Sequence, residues 1–165
     1  MRIRLADYVA DFLVSHGVTD VFSVVGGGAM HLNDAFGHQE GLKITYNHHE
    51  QACTIAAEGY TRQTGKIAPV CVTGGPGGTN AITGVFGAYV DSIPMFVVTG
   101  QAKRETTVWS TNLPLRQLGD QEVNITSAVS TMTKYAKMIT DPMSIRKEVE
   151  KAWFLMLNGR PGPVW

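Results

Sequence analysis

The stretch that decides the fold is residues 46–60, which read YNHHEQACTIAAEGY. A β-prone run from Leu42 to Tyr46 leads into it, and an Ala-rich segment with helical spacing follows. The residues predicted to share one buried face of this helix are Ala52, Ile55, Ala56 and Tyr60. Glu50 is therefore expected where a strand ends and a helix begins. In an open α/β sheet, that position borders the crevice in which ligands bind.

Glu50 allows two interpretations at this point. A carboxylate in the first turn of a helix is favoured by the helix dipole, and acids are common there for that reason alone. The other interpretation is a functional carboxyl group at the ligand crevice. The local sequence does not decide between them.

A first glycine-rich turn, Gly26–Gly28, is predicted between a strand over 18–25 and a helix over 30–37. Three glycines permit positive φ and a close approach of a ligand to the backbone. They do not form the dinucleotide-binding fingerprint, because the spaced third glycine and the downstream ribose-binding acid are missing. A tight strand-to-helix turn without a ligand is the alternative interpretation.

A second glycine-rich turn occupies residues 74–78. It follows an apolar run over 68–73, as expected for a parallel strand buried on both faces, and it precedes a helix from Thr79 or Asn80 through Ala88. The turn lacks the Gly-Lys-Ser/Thr ending of a P-loop, which argues against a nucleotide phosphate site. For Asn80 taken alone, helix capping is the simpler interpretation.

Hydrophobic spacing and turn residues predict the remaining elements. They are a helix that ends before Gly17, a buried strand at Met95–Thr99, a polar loop over 104–116, a strand at Val129–Ala136, a helix opened by Asp141-Pro142 and ended by Gly159, and a last strand begun within 160–165. This alternation predicts a three-layer α/β/α domain with a mainly parallel sheet of about six strands. Because a buried strand is rarely so short at a chain end, we expect residues 1–165 to be a single domain and a fragment of a longer multidomain chain.

Composition narrows the classes of partner. Lys plus Arg and Asp plus Glu each number 14, so no net field attracts nucleic acid or an anionic membrane. The hydrophobic fraction of 44% suits a domain with a sizeable core. Cys53 and Cys71 lie in a predicted helix and a predicted strand, where we expect buried, reduced thiols. The sequence shows neither a signal peptide nor an apolar run of about 18 residues, which favours a cytoplasmic protein.

Four motifs together resemble a single family, namely HHEQA at 48–52, AAEGYTR at 56–62, TGGPGGTN at 73–80 and DSIP at 91–94. Their order and spacing resemble the N-terminal pyrimidine-binding domain of thiamine-diphosphate enzymes of the acetolactate synthase and pyruvate oxidase group. The resemblance covers essentially the whole chain, from about Leu5 to Trp165.

The resemblance implies a catalytic role for Glu50. In the family, the matching glutamate hydrogen-bonds the aminopyrimidine ring of the cofactor and promotes its imino tautomer, which takes the proton from the thiazolium carbon. A carboxylic acid suits this task because the ring nitrogen is a weak base whose protonated form a nearby acid makes accessible. The cofactor carries the carbanion chemistry, and the protein orients and polarises it. The cofactor-binding positions implied here are Val25, Gly26, Glu50, Pro76, Gly77 and Asn80.

Two departures from the family pattern bear on the site. The Tyr-Pro that precedes the first glycines in the family is Val24-Val25 here, which leaves open any aromatic contact with the cofactor from this turn. The Phe-Gln-Glu signature appears as Asp120-Gln121-Glu122, so the aromatic residue that borders the substrate pocket is replaced. Gln121 keeps its place and is implied as a catalytic residue, a neutral hydrogen-bonding group that faces the reacting carbon. A surface glutamine in a loop is the alternative interpretation of Gln121.

The function implied is that of the pyrimidine-binding domain of a carboligase or decarboxylase, a transferase or lyase, that acts on pyruvate or another 2-oxo acid. In the family, the diphosphate and its Mg²⁺ are held by a second domain, whose Gly-Asp-Gly metal motif is missing from this sequence. We therefore expect no metal ligands in this chain and no catalysis by the chain alone. A homodimer with the Glu50 helices near its axis is also expected. The resemblance leaves open whether the full-length protein has a middle domain that binds FAD.

Two other functions stay open. In the first, the chain would be a separate α subunit of a two-chain 2-oxo acid decarboxylase of the sulfopyruvate type. In the second, it would be a non-catalytic binding or assembly domain of the same fold. Continuation of the reading frame past Trp165 distinguishes a fragment from a natural subunit. The presence of Glu50 argues against the non-catalytic alternative.

Overall fold

The computed structural model describes residues 3–165. In chain order, its helices and strands are α1 (Leu5–Ser15), β1 (Asp20–Ser23), α2 (Met30–His38), β2 (Lys43–Tyr46), α3 (Glu50–Thr64), β3 (Val70–Val72), α4 (Pro76–Val90), β4 (Met95–Thr99), α5 (Ile125–Ala128), α6 (Ile145–Leu157) and β5 (Pro163–Val164). Short 3₁₀ turns lie at Gly27–Ala29, Arg104–Thr106, Val108–Ser110 and Pro142–Ser144. Strands and helices therefore alternate through the first four strands.

The five strands form a parallel sheet in the order β2-β1-β3-β4-β5. The predicted α/β fold with a mainly parallel sheet is confirmed, with five strands instead of about six. The strands predicted over 18–25, 42–46 and 68–73 are present in shortened form as β1, β2 and β3. The prediction of a strand at Met95–Thr99 is confirmed to the residue.

The predicted strand at Val129–Ala136 is wrong. Helix α5 ends just before it, and turn hydrogen bonds continue into it, with the Met132 N–H donating to the Val129 carbonyl at 3.0 Å. Those backbone groups are satisfied locally and are not available to a β-ladder. The end of the segment does pair with β5, because the Lys134 N–H donates to the Pro163 carbonyl and the Trp165 N–H donates to the Tyr135 carbonyl, both at 2.8 Å. This pairing amounts to a single parallel bridge, Tyr135 to Val164, and not to a strand.

Alternate side chains of the strands supply two separate cores, as the period of a β-strand requires. Val70 and Val72 pack with α3, α4 and α5, whereas Cys71 between them packs with the cluster of α1, α2 and α6. In β4, Val97 belongs to the first cluster and Phe96 to the second. The predicted three-layer α/β/α arrangement is therefore confirmed.

Helix α3 buries a different face from the one predicted. Ile55 is 52% exposed and Ala52 is also exposed, whereas the buried residues are Cys53, Thr54, Ala57 and Thr61. Both sets have helical spacing, and the small residues of this helix suit either face. Packing against α4 decides the phase, because a Cβ atom on Gly84 would lie only 2.1 Å from Thr54 Oγ1.

Helix α4 begins at Pro76, three residues before the predicted Thr79. The second glycine-rich turn thus forms the first turn of the helix instead of a loop before it. Pro76 takes the first helical position, where its missing N–H leaves no bond unmade. Gly75 precedes it with φ of 59°, a conformation that favours glycine.

The predicted ends of the outer helices are confirmed. Gly17 follows α1 with φ of 80°, and Gly159 follows α6 with φ of 70°. Asp141 Oδ1 accepts a hydrogen bond from the Met143 N–H at 3.0 Å, and the turn that begins at Pro142 leads into α6. These caps fix where each outer helix meets the sheet.

We expect Gly84→Ala to lower the free energy of unfolding by about 1–3 kcal/mol, because the new methyl group would meet Thr54 and the α3 backbone. The matched control is Gly37→Ala in α2, where an added Cβ meets no atom within 4 Å. That control should be neutral or stabilising by up to about 1 kcal/mol. Urea unfolding of both variants measures the difference, and equal midpoints would contradict the close α3–α4 contact.

Candidate functional site

The site region lies where the strand order reverses. From β1 the chain passes through α2 to β2 on one side, and from β3 it passes through α4 to β4 on the other. The helices of these two connections belong to different layers. A crevice therefore opens between the carboxyl ends of β1 and β3, which is where ligands bind in sheets of this kind.

Three turns at these strand ends interlock around Thr73. A Cβ atom on Gly26 would lie 2.5 Å from the Cβ of Thr73, and the Gly28 N–H donates to Thr73 Oγ1 at 3.1 Å. The turn after β4 joins them, because a Cβ atom on Gly100 would lie 1.9 Å from the Gly28 carbonyl oxygen. Glycine is thus required at Gly26 by the Thr73 side chain and at Gly100 by the Gly28 backbone.

Glu50 is the first residue of α3, as predicted. His49 caps the helix, with its Nδ1 accepting from the Gln51 N–H at 3.1 Å. The half-buried Glu50 side chain reaches across to α4, where its Oε2 accepts from Asn80 Nδ2 at 3.0 Å. Its Oε1 would lie 3.3 Å from a Cβ atom on Gly77. Glu50 is therefore hydrogen-bonded to Asn80 and lies beside Gly77.

Helix capping by Asn80 is wrong as an interpretation. Helix α4 starts at Pro76, so Asn80 stands in the second turn, and its side-chain amide donates to Glu50 instead of closing its own helix. The interpretation of Glu50 as a helix-start acid is correct in position. It does not account for the hydrogen bond from a second helix.

Gln121 lies on a loop that packs against the start of α4. Its φ is 52°, one of two positive values among the non-glycine residues described. A Cβ atom on Gly75 would lie 2.2 Å from the Gln121 carbonyl oxygen. The side chains of Gln121 and Asp120 are exposed, and so is Pro76. The loop therefore borders the same glycine turn as Gly77.

The two valines before the first glycine turn differ in environment. Val24 is partly buried and packs against the α3–α4 core, whereas Val25 is 64% exposed. An aromatic residue at either position is not needed for packing here. Val25 and Gly26 leave the edge of the crevice lined by main chain and a small aliphatic group.

Sequence reasoning missed two residues that shape this region, Thr73 and Glu122. Thr73 stands between a predicted strand and the second glycine-rich turn. Its position there was the only indication in the sequence that its side chain could contact both glycine-rich turns. Glu122 accepts hydrogen bonds from three main-chain amides. The only indication of this role in the sequence was that Glu122 is an acidic residue in a predicted loop and not on a helix.

A cavity of about 570 Å³ lies elsewhere in the molecule. It lies between α1 and α6 on one side and residues 122–139 on the other, and Glu50, Gly77 and Asn80 do not line it. The predicted site is a surface crevice by comparison. Among residues 3–165, no group of three or more His, Cys, Asp or Glu side chains is arranged to hold a metal ion.

The two cysteines are confirmed as buried free thiols. Burial raises the pKa of Cys53, and burial raises that of Cys71 to about 12. Both thiols are protonated near neutral pH and therefore make poor nucleophiles. They do not belong to the crevice chemistry.

A parallel α/β domain with an acid and two glycine turns at its switch point is a ligand-binding domain of the doubly wound class. The family described as "Thiamine pyrophosphate enzyme, N-terminal TPP binding domain" matches residues 3–128. The chain belongs to this family.

Curated relatives agree with this assignment. The acetolactate synthase large subunit of Lactococcus lactis is 38% identical over 148 residues, which cover 90% of this chain and 24% of the relative. Chloroplastic acetolactate synthase of Arabidopsis thaliana is 35% identical over 96% of this chain and 22% of the relative. The acetolactate synthase large subunit of Haemophilus influenzae is 36% identical over 99% of this chain and 27% of the relative. The chain thus spans about a quarter of the length of these relatives. Within residues 3–165, no helix has the length and apolarity needed to cross a membrane.

We expect Gly77→Ala to weaken thiamine diphosphate binding by the full-length protein about 10-fold or more. The added methyl group would lie 2.6 Å from Thr73 Cγ2 and 3.3 Å from Glu50 Oε1, so both side chains must shift. Titration calorimetry with Mg²⁺ measures the affinity, with Gly37→Ala again as the control. Unchanged binding by Gly77→Ala would exclude this turn from the cofactor site.

Proposed function

We propose that this chain is the pyrimidine-binding domain of a thiamine-diphosphate-dependent enzyme, a carboligase or decarboxylase acting on pyruvate or another 2-oxo acid. The observation that carries the proposal is the position of Glu50, held by Asn80 at the start of α3 and facing Gly77. Membership of the family and relatives named acetolactate synthase support the reaction class.

The residues at the crevice fit the flat ring of the cofactor. Position 77 has no room for a side chain, because even a methyl group would contact Thr73 and Glu50. Gly77 thus lets Thr73 and the Glu50 carboxylate pack closely against the first turn of α4, beside which the planar ring would lie. Val25, Gly26, Pro76 and Gly77 would contribute main-chain and small apolar contacts around it.

Glu50 has one carboxylate oxygen occupied and one available. Oε2 is held by Asn80, whereas Oε1 accepts no hydrogen bond from residues 3–165. The Asn80 amide thus fixes the orientation of the carboxyl group and leaves the other oxygen to share a proton with a ring nitrogen. Bound thiamine diphosphate supplies the carbanion chemistry. Asn80 is a positioning residue in this scheme, and Gln121 is the neutral hydrogen-bonding group on the substrate side.

The charged end of the cofactor needs partners beyond this chain in the proposal. We assign the diphosphate and its Mg²⁺ to a second domain of the same or another chain. The relatives are about four times longer than the matched segment, which supports additional domains. Residues 1–165 then act as one domain of a multidomain protein.

We also propose that the exposed faces of α3 and α4 pair with a second copy of the chain. Four large apolar side chains are exposed there, namely Ile55, Phe86, Tyr89 and Val90. Their exposed fractions range from 40% to 54%. Both helices begin at the crevice, at Glu50 and at Pro76, so pairing along them would shield the cofactor site from water. Exposed apolar side chains grouped on two packed helices are typical of protein interfaces.

In the full-length protein, we expect Glu50→Gln to bind the cofactor within a few-fold of the unaltered affinity. We expect it to slow proton release from the thiazolium carbon by about 100-fold or more, because the amide cannot share the proton. Hydrogen–deuterium exchange at that carbon is the measurement. The control is Glu40→Gln, an exposed acid whose carboxylate accepts no hydrogen bond from residues 3–165. An unchanged exchange rate in Glu50→Gln would remove Glu50 from the mechanism.

For the dimer, we expect Phe86→Asp to yield monomers at about 100 μM, where the unaltered chain is dimeric, because a charge would be buried at the contact. Phe154→Asp is the matched control, since Phe154 is 61% exposed on α6 in the opposite layer. Light scattering measures the mass of each. A monomeric unaltered chain, or a Phe86→Asp variant that still pairs, would contradict this interface.

A further inference from the structure

Glu122 binds three main-chain amides with one carboxylate. Its Oε2 accepts from the N–H groups of Val108 at 3.0 Å, Leu118 at 3.2 Å and Gly119 at 3.0 Å. Its Oε1 also accepts from Val108, at 2.9 Å. Partial burial by itself raises the pKa of Glu122, but the hydrogen bonds from Gly119, Val108 and Leu118 together outweigh it and hold the pKa below the usual value for glutamate.

These bonds close the loop that runs from β4 to Gln121. Gly119 is packed tightly, because a Cβ atom there would lie 2.6 Å from Ala102 Cβ and 3.0 Å from the Thr106 carbonyl oxygen. A second anchor is Gln101, whose Nε2 donates to the Val123 carbonyl at 3.0 Å. The loop is thus held at both ends by side chains that bind main chain.

Gln121 lies next to the Glu122 anchor, near the end of this loop, and its backbone is strained. A glutamine with φ of 52° adopts the left-handed region only where the surrounding contacts require it. Its carbonyl oxygen occupies the space beside Gly75 that a side chain would otherwise fill. Glu122 is its immediate neighbour, so the carboxylate that binds the loop amides lies one residue from Gln121.

We infer that Glu122 is a positioning residue that holds Gln121 against the glycine turn at Gly75, and so fixes the group that meets the substrate beside the Glu50 crevice. The substrate part of this inference rests on the proposed function. The contact with the glycine turn does not. The competing explanation is that Glu122 stabilises only its own loop, without any effect on Gly75 or on the substrate.

The first test is independent of activity. In the full-length protein, amide hydrogen exchange is measured by mass spectrometry for peptides covering 104–119 and 74–80 in the unaltered protein, in Glu122→Gln and in Glu105→Gln. Glu105 is the matched control, because it is an exposed acid of the same loop whose carboxylate accepts no hydrogen bond from residues 3–165. We expect faster exchange in both peptides for Glu122→Gln and in neither for the control. Faster exchange in 104–119 alone would overturn the inference.

The second test uses a double-mutant cycle with Gln121→Ala. We expect Glu122→Gln to lower kcat/KM for pyruvate about 10-fold or more, with proton exchange at the thiazolium carbon unchanged within about two-fold. In the Gln121→Ala background, the same substitution should have less than about a two-fold further effect, since its action passes through Gln121. Additive effects of the two substitutions would overturn the substrate role.

The two proposals fail separately in these experiments. An unaltered thiazolium exchange rate in Glu50→Gln rejects the role proposed for Glu50 and leaves the amide exchange of 74–80 to decide the positioning by Glu122. Slowed thiazolium exchange in Glu50→Gln, combined with normal exchange of 74–80 in Glu122→Gln, keeps the function and rejects the positioning.

Discussion

The rest of this structure depends on the side chain of Thr73, which fills the space that side chains at three glycines would need. The Cβ positions of Gly26 and Gly77 both fall within 2.6 Å of Thr73 atoms, and the Gly28 amide donates to its hydroxyl group. The threonine therefore sets the distance between the turns after β1 and β3. Since those turns form the two walls of the crevice, its width is fixed by contacts between the Thr73 side chain and glycines that leave no room for a larger residue.

The second determinant is the close approach of α3 and α4. The absence of a side chain at Gly84 lets Thr54 of α3 sit against the α4 backbone. This packing brings Glu50 within 3.0 Å of Asn80, a residue 30 positions away in sequence. A core contact about one helical turn away from both Glu50 and Asn80 thus controls the geometry of the acid, which stands at a helix N-terminus where the dipole also favours negative charge.

The sequence was informative where residue type was constrained by backbone geometry, and it was poor where several residues were equally suitable. Hydrophobic runs predicted strand β4 and the start of α3 at Glu50. Glycines at positions where no side chain fits predicted the two glycine-rich turns. The buried face of α3 was predicted one position out of phase, because Ala52, Cys53 and Thr54 are all small enough to be buried. The packing partner that decides between them lies on α4 and has no local signal.

The segment after β4 shows the same limit for a different reason. The weak alternation over 129–136 predicted a strand, but Val129 and Met132 form a turn that satisfies the backbone locally. The contacts of Glu122 link residues 3 to 14 positions apart through main-chain amides, which carry no sequence signature. Gln121 was therefore predicted only through the family resemblance, and the contacts of Glu122 beside it were not predicted.

The two cysteines lie in different cores, and this gives the molecule a built-in pair of reporters. Cys53 belongs to the layer of α3 and α4, and Cys71 faces the layer of α1, α2 and α6. Both are fully buried, so an alkylating reagent modifies each thiol only when its own layer separates from the sheet. The relative rates of labelling would therefore tell whether the two helical layers detach together or one before the other.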